Sequence, residues 1–322
     1  MSDNVLRKIA GVRFLALLAF AQVGSTLAGA PQRFVVFGDS LSDPGNAFVL
    51  LRDVKVPPFL EVPPFDSLIP DAPYARGGLH FSDGATWVEQ LSVLDHALPS
   101  TGPALLHPVL FSNYAVGGAR ARPGRPFDLS TQVGLFLNDF GQAPADALYV
   151  VFVGGNDLRD VLDAPAQAPS IVGGALSAIQ ANLLTLHAAG ARNFLVANAP
   201  DLGLVPKVRR LGPDAQAAAS GLATQFNSNL KQLLSGLKFS PGLNIVPLDV
   251  FGILNEIVFT PGHLGLTEGE QPCIAVNTIV QPYCANPSTF LFWDDIHPTV
   301  AGHRILAERA RAALAAPLAT AP

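Results

Sequence analysis

Three short polar clusters in this chain hold side chains that could carry out covalent chemistry. Asp39-Ser40-Leu41-Ser42-Asp43 follows one apolar run, and Gly154-Gly155-Asn156-Asp157 follows another. Trp293-Asp294-Asp295-Ile296-His297-Pro298 lies near the carboxyl end. A serine hydroxyl, a histidine and a carboxylate are the parts of nucleophilic acyl transfer. The imidazole takes the hydroxyl proton as the oxygen attacks, and the carboxylate holds the imidazole. Taken singly, each cluster has a blander explanation. A serine after a strand commonly caps a helix, and Asp-x-x-His commonly makes only local hydrogen bonds. Their weight comes from where the surrounding elements would put them.

Those elements follow from periodicity. Arg33–Gly38, Ala147–Val153, Asn193–Asn198 and Leu243–Leu248 are short apolar runs ended by Gly, Pro, Asn or Asp, and read as buried strands. Gly174–Ala189, Pro213–Leu237 and Thr299–Ala315 carry helical patterns. Apolar strands alternating with helices imply an α/β protein with a parallel sheet covered on both faces. In such sheets ligands bind beyond the carboxyl ends of the strands, where the first two polar clusters fall. Residues 44–108 contain ten prolines, which excludes a long helix or central strand there and leaves ordered loop or short helices. No linker or repeat interrupts the pattern, so residues 31–316 read as one domain and 317–322 as a frayed tail.

The ends and the composition narrow the class. Arg7, Lys8 and Arg13 precede or open the apolar run Phe14–Ala21, and small residues follow to Ala28-Gly29-Ala30. This is the order of a secretory signal peptide over residues 1–30, with cleavage after Ala28 also open because Pro31 follows Ala30. The apolar run is too short for a spanning helix. In an oxidising compartment Cys273 and Cys284, the two cysteines of the chain, are expected to pair. Two roles are open for that loop, a brace that keeps His297 in register or a lid over the substrate, and the lid is the expectation because the flanking residues Gly262–Gly269 read as mobile. The net charge is −5 and the arginines are scattered, so a nucleic-acid partner is not expected. His80, His96, His107, His187 and His263 show no metal spacing, and no glycine motif cradles a phosphate. Neither a metal nor an organic cofactor is expected. His303 reads as a structural residue of the last helix, and Asp39 and Asp43 as loop anchors.

Gly38-Asp39-Ser40-Leu41-Ser42 resembles the signature of the GDSL lipase/esterase group within the SGNH hydrolase superfamily. Three further blocks follow in the family's order: Asn113-Tyr114-Ala115-Val116-Gly117-Gly118, Gly154-Gly155-Asn156-Asp157 and Asp294-Asp295-Ile296-His297-Pro298. Ser42-Asp43-Pro44-Gly45-Asn46 and Phe81-Ser82-Asp83-Gly84 with Trp87-Val88-Glu89 resemble its secreted lipase and lysophospholipase branch, although His80 stands where an arginine is common. The resemblance implies a three-layer α/β/α sandwich of flavodoxin-like topology. It implies Ser40 as nucleophile, His297 as base and Asp294, rather than the neighbouring Asp295, as the partner of His297. It also implies an oxyanion hole made by the backbone N–H groups of Ser40 and Gly118 and the side-chain amide of Asn156. The G-x-S-x-G elbow of α/β-hydrolases is absent from the sequence.

The expectation is a secreted or periplasmic serine ester hydrolase acting on small or lipid-like acyl esters, with transient contact to a lipid surface. Phe290, Phe292 and Trp293 are expected near an apolar acyl group. Acyl transfer to a lipid alcohol, carbohydrate deacetylation and non-catalytic lipid binding are the alternatives. The sequence leaves the oligomeric state open.

Overall fold

Four of the apolar runs form one parallel sheet in the computed structural model, which describes residues 31–51, 80–274 and 284–316. The expected signal peptide over 1–30, residues 52–79 of the proline-rich stretch, the centre of the cysteine loop and the 317–322 tail lie outside the described residues. Strands β1 (Phe34–Gly38), β2 (Leu148–Phe152), β3 (Asn193–Ala197) and β4 (Asn244–Leu248) lie in that spatial order. Gly38 pairs with Phe152 and Ala197 with Leu248. Residues 112–116 run parallel along the free edge of β1. Val36 N donates to Ser112 O at 2.9 Å, Tyr114 N to Val36 O at 2.8 Å, and Val116 N to Gly38 O at 3.2 Å. Counting this irregular strand second in the chain, the spatial order is 2-1-3-4-5, the flavodoxin-like order.

Side chains alternate across the sheet because successive strand residues point to opposite faces. Val35, Phe37, Tyr149, Val151, Phe194 and Ile245 pack on one side, under helices α3 (Leu129–Phe140), α5 (Ala168–Ala188) and α7 (Pro213–Leu237). Phe34, Val36, Leu148, Val150, Leu195 and Val246 pack on the other, under α2 (Trp87–Leu94) and α9 (Val300–Ala315). The layers are thus α/β/α, and the strands are uniformly apolar because neither face meets water. The remaining helices are α1 (Asn46–Leu51), α4 (Gly155–Asp163), α6 (Pro206–Arg209) and α8 (Val250–Phe259). A small parallel pair, β5 (Glu268–Pro272) with β6 (Phe290–Phe292), leads into the last polar cluster.

The expected strands and the α7 and α9 helices fall where the periodicity puts them. Helix α5 starts six residues before the expected Gly174, with Pro169 in its first turn, where a missing N–H costs nothing. With the preceding turn it spans Pro165–Ala188 and is long and apolar enough to cross a membrane. Here Ala175, Ile179, Leu183 and Leu186 bury one face of it against the sheet.

Candidate active site

The loops after β1, after residues 112–116 and after β2 leave adjacent strands at the point where the strand order reverses. This is where open parallel sheets form crevices. Each carries one of the sequence-selected groups: Ser40, Gly118 and Asn156. The β1 loop is held from within. Leu41 N donates to Asp39 Oδ1 at 3.0 Å. Asp43 accepts from the N–H groups of Gly45, Asn46, Ala47 and Gly117, at 2.8, 2.6, 3.1 and 2.7 Å. Asp43 therefore both caps α1 and ties the Ser40 loop to the Gly118 loop. Burial pushes the carboxyls of Asp39 and Asp43 up to about 6, against the pull of these N–H donors. Gly38 is required by close approach, because a Cβ there would lie 2.7 Å from Phe152 O.

Ser40 and His297 meet across 257 residues of sequence. The Ser40 Oγ to His297 Nε2 distance is 2.8 Å, and His297 Nδ1 lies 2.7 Å from Asp294 Oδ2. Asp294 Oδ1 also accepts from the N–H groups of Ile296 and His297, at 2.7 and 2.6 Å. A three-residue turn thus fixes the carboxylate and the ring together. Asp295 faces the other way: Arg210 clamps it with both guanidinium nitrogens, and its carbonyl accepts from Lys207 N at 3.0 Å. The Phe81 ring sits 5.3 Å from the His297 ring, centroid to centroid. Ser82 Oγ donates to Pro298 O at 2.9 Å, and Asp83 Oδ1 accepts from Val300 N at 2.6 Å. The Phe81–Asp83 segment therefore braces the histidine loop, and His80 pairs with Glu89 at 3.0 Å.

Gly118 has φ +80°, a conformation that favours glycine. Its loop is anchored to α4 by charge. Asp157 accepts from Ala121 N at 2.7 Å and from Arg122 NH1 at 2.8 Å. Asp160 holds both Arg120 and Arg122. Burial raises the Asp157 carboxyl above its usual range. Burial also acts on Asp160, but the two guanidiniums overcome it and hold that carboxyl low. Asn156 Nδ2 donates to Ala119 O at 3.0 Å, which places its amide beside the Gly118 loop.

Asp39, Ser40, Asn156 and Arg159 supply the polar part of a cavity whose other walls are apolar. Val250, Ile253, Leu254 and Ile257 come from α8, Leu291 and Phe292 from β6, and Leu306 from α9. Most of these side chains are buried. Phe292 is therefore at the site as expected. Phe290 and Trp293 do not line this cavity: they pack with Phe81, Val116, Cys273 and Ile274 in a separate cluster. The structure joins Cys273 to Cys284 by a disulfide at the edge of that cluster. His303 is fully buried in α9.

Two contributors escape sequence reasoning. Gln132 on α3 accepts from Gly38 N at 2.9 Å and donates to Gly38 O at 2.8 Å, closing off the end of β1 next to Ser40. Arg159 donates to Asn156 Oδ1 at 3.2 Å. Nothing local marks the first; the second stands three residues after Asn156 and on the same helical face. Among the described residues, no group of three or more His, Cys, Asp and Glu side chains could hold a metal ion.

The profile of the GDSL-like Lipase/Acylhydrolase family matches residues 34–310. A Pseudomonas putida protein, described as an uncharacterized protein in the trpE-trpG intergenic region, is 31% identical over 352 residues. That alignment takes in 97% of this chain and 54% of the relative, so the chain spans about half the relative's length. A GDSL esterase/lipase of Arabidopsis thaliana is 26% identical over 316 residues, with 84% of each chain covered. Among solved structures, a catalytic mutant of an acetylxylan esterase from Geobacillus stearothermophilus is similar at TM-score 0.49 and 16% identity, covering 91% of this chain and 99% of its own. The chain belongs to the GDSL-like lipase/acylhydrolase family of carboxylic ester hydrolases.

Proposed function

We propose that this protein hydrolyses esters of apolar, lipid-like acyl groups through an acyl-enzyme on Ser40. The observation that carries the reading is the hydrogen-bonded chain Ser40–His297–Asp294 opening on an apolar cavity. His297 Nε2 takes the Ser40 proton as Oγ attacks the ester carbonyl, then gives that proton to the departing alkoxide. Water enters by the same route in reverse and releases the acid. Asp294 holds the imidazole tautomer that this requires and stabilises the imidazolium. The N–H groups of Ser40 and Gly118 and the Asn156 amide serve the negative oxygen of the tetrahedral intermediate. The alcohol half must leave before water attacks, so the apolar cavity suits the acyl half, which stays covalently held. A cavity lined by α8, β6 and α9 apolar side chains favours acyl groups longer than acetyl. The charged-then-apolar order of residues 1–30 and the Cys273–Cys284 bridge support export to an oxidising compartment.

Ser40→Ala and His297→Ala test the reading. Each is expected to abolish hydrolysis of a p-nitrophenyl ester while leaving the thermal unfolding midpoint in place, and the double variant should lose little more than either alone. Loss of such a group costs up to ~10⁶ in turnover. A Ser40→Ala protein that keeps more than about a tenth of its turnover overturns the assignment.

A further inference from the structure

Arg159 lies three residues past Asn156 on α4, a spacing at which side chains on a helix meet. Its NH1 donates to Asn156 Oδ1 at 3.2 Å, while Asn156 Nδ2 donates to Ala119 O at 3.0 Å on the other side. The two bonds agree on one orientation of the amide. Turned over, Asn156 would set its oxygen against the Ala119 carbonyl and its NH₂ group against a guanidinium N–H, two repulsive contacts in place of two attractive ones. One amide N–H is engaged by Ala119, which leaves the other for a group in the cavity that Asn156 lines. Arg120 and Arg122 are occupied with Asp157 and Asp160, which anchor the neighbouring loop. Arg159 makes no ion pair within 4 Å among the described residues; its charge acts on the buried Asp39 carboxyl, and its hydrogen bond goes to Asn156.

We propose that Arg159 is a positioning residue for the oxyanion donor: it locks the Asn156 amide in the productive orientation and polarises its free N–H. A cation bonded to the amide oxygen draws electron density toward that oxygen, and hydrogen bonds in series strengthen one another. The free N–H then meets a developing negative charge as a stronger donor. The effect is largest when the carbonyl oxygen is most negative, so it belongs to the transition state and not to substrate binding. This inference rests on the reading of Asn156 as an oxyanion donor.

The experiment compares Arg159→Met, Arg159→Lys, Asn156→Ala and the Asn156→Ala/Arg159→Met double variant, each checked for folding by thermal unfolding. Two p-nitrophenyl esters are used, one with a neutral acyl chain and one whose acyl chain ends in a carboxylate. Asn156→Ala should cost ~10²–10³ in kcat, the range for a single oxyanion donor. Arg159→Met should lower kcat roughly 10-fold or more on both esters with KM nearly constant, as expected for an interaction made in the transition state. Arg159→Lys keeps a cationic donor and should recover part of the loss. In the Asn156→Ala background, Arg159→Met should change kcat less than about twofold, because the two act as one unit. Losses that multiply in the double variant overturn the inference. So does a loss confined to KM for the anionic ester, which would make Arg159 a substrate-binding residue. If Asn156→Ala itself keeps full activity, the fault lies instead with the oxyanion reading on which the inference rests.

Discussion

His303 carries a titration that lies outside the hydrogen-bonded Ser40–His297–Asp294 chain. It is fully buried on α9, and neither ring nitrogen finds a hydrogen-bond partner among the described residues. Burial pulls the imidazole down to about 3, and the nearby His297 and His80 add to the effect. The folded protein therefore keeps His303 neutral, whereas the unfolded chain takes up a proton below roughly 6.5. The stability linked to this residue is complete above that pH and is lost on acidification toward 3, at about 1.4 kcal/mol per pH unit. Asp39 and Asp43 act in the opposite sense. Their raised carboxyls bind protons more tightly in the fold, so between roughly 3.9 and 6 they make stability fall as pH rises. Comparison with a His303→Leu variant isolates the histidine. Between pH 7.5 and 4.5 the wild type should lose roughly 3 kcal/mol relative to the variant, measured by urea unfolding at each pH. An equal difference at both pH values would show that His303 is protonated within the fold. Residues of this scale were legible where chemistry is written locally. Ser40, Asn156, Asp294 and His297 stand in short blocks, and the structure brings Ser40, His297 and Asp294 into one hydrogen-bonded chain. Gln132 was not legible, because its partners are the backbone groups of Gly38, 94 residues away. A lone glutamine on an amphipathic helix otherwise reads as part of a wet face.

The element that positions the candidate general base is β6, and the disulfide acts on it directly. Cys273 N donates to Phe292 O at 2.9 Å and Ile274 N to Trp293 O at 2.8 Å, while Trp293 N donates to His297 O at 2.8 Å. The chain that carries Cys273 is therefore zipped to the segment that ends at Asp294. Cys284 N closes the loop onto Cys273 O at 2.7 Å. These contacts favour the brace over the lid; residues 275–283, on which a lid would depend, lie outside the described residues. Replacing both cysteines with serine should lower stability by at most about 3 kcal/mol, the chain-entropy contribution of so short a loop. It should also lower kcat, because Asp294 and His297 lose a fixed neighbour. Unfolding curves and steady-state kinetics of the double variant check both parts; unchanged kcat would reduce the bridge to a stabilising clip. Elements were legible in proportion to how apolar they are. Strands β1 to β4 are buried on both faces and read as continuous apolar runs. Residues 112–116 contain Ser112 and Asn113, whose side chains bond Phe34 O and Ser42 O, so polar residues doing internal bonding hid an edge strand. Glu268–Pro272 is too polar to read as a strand at all.

At the scale of the molecule, the sheet supplies one edge of the cavity and two later elements, α8 and α9, supply the opposite walls. Each methylene that enters such a cavity is worth about 0.8 kcal/mol, or roughly fourfold in kcat/KM. A series of p-nitrophenyl esters from acetate upward should therefore gain at about that rate until the cavity is filled. Ile257→Trp and Leu254→Trp, which enlarge the α8 wall, should end the rise at a shorter chain while leaving the acetate ester nearly unaffected. A flat series in the wild type would count against an acyl role for the cavity. The layered fold could be read from the alternation of strands and helices, but the cavity could not, because its walls come from segments whose sequence spacing carries no sign of their meeting. That same separation has a temporal side. A ribosome works from the amino end at roughly 5–20 residues per second, and the hydrogen bond from Ser40 to His297 spans 257 residues. The serine thus leaves the ribosome roughly 13 to 50 seconds before the histidine it bonds exists. Throughout that interval the nascent chain holds a hydroxyl no more reactive than any other. The two halves of the Ser40–His297 hydrogen bond therefore exist together only once residue 297 has been made.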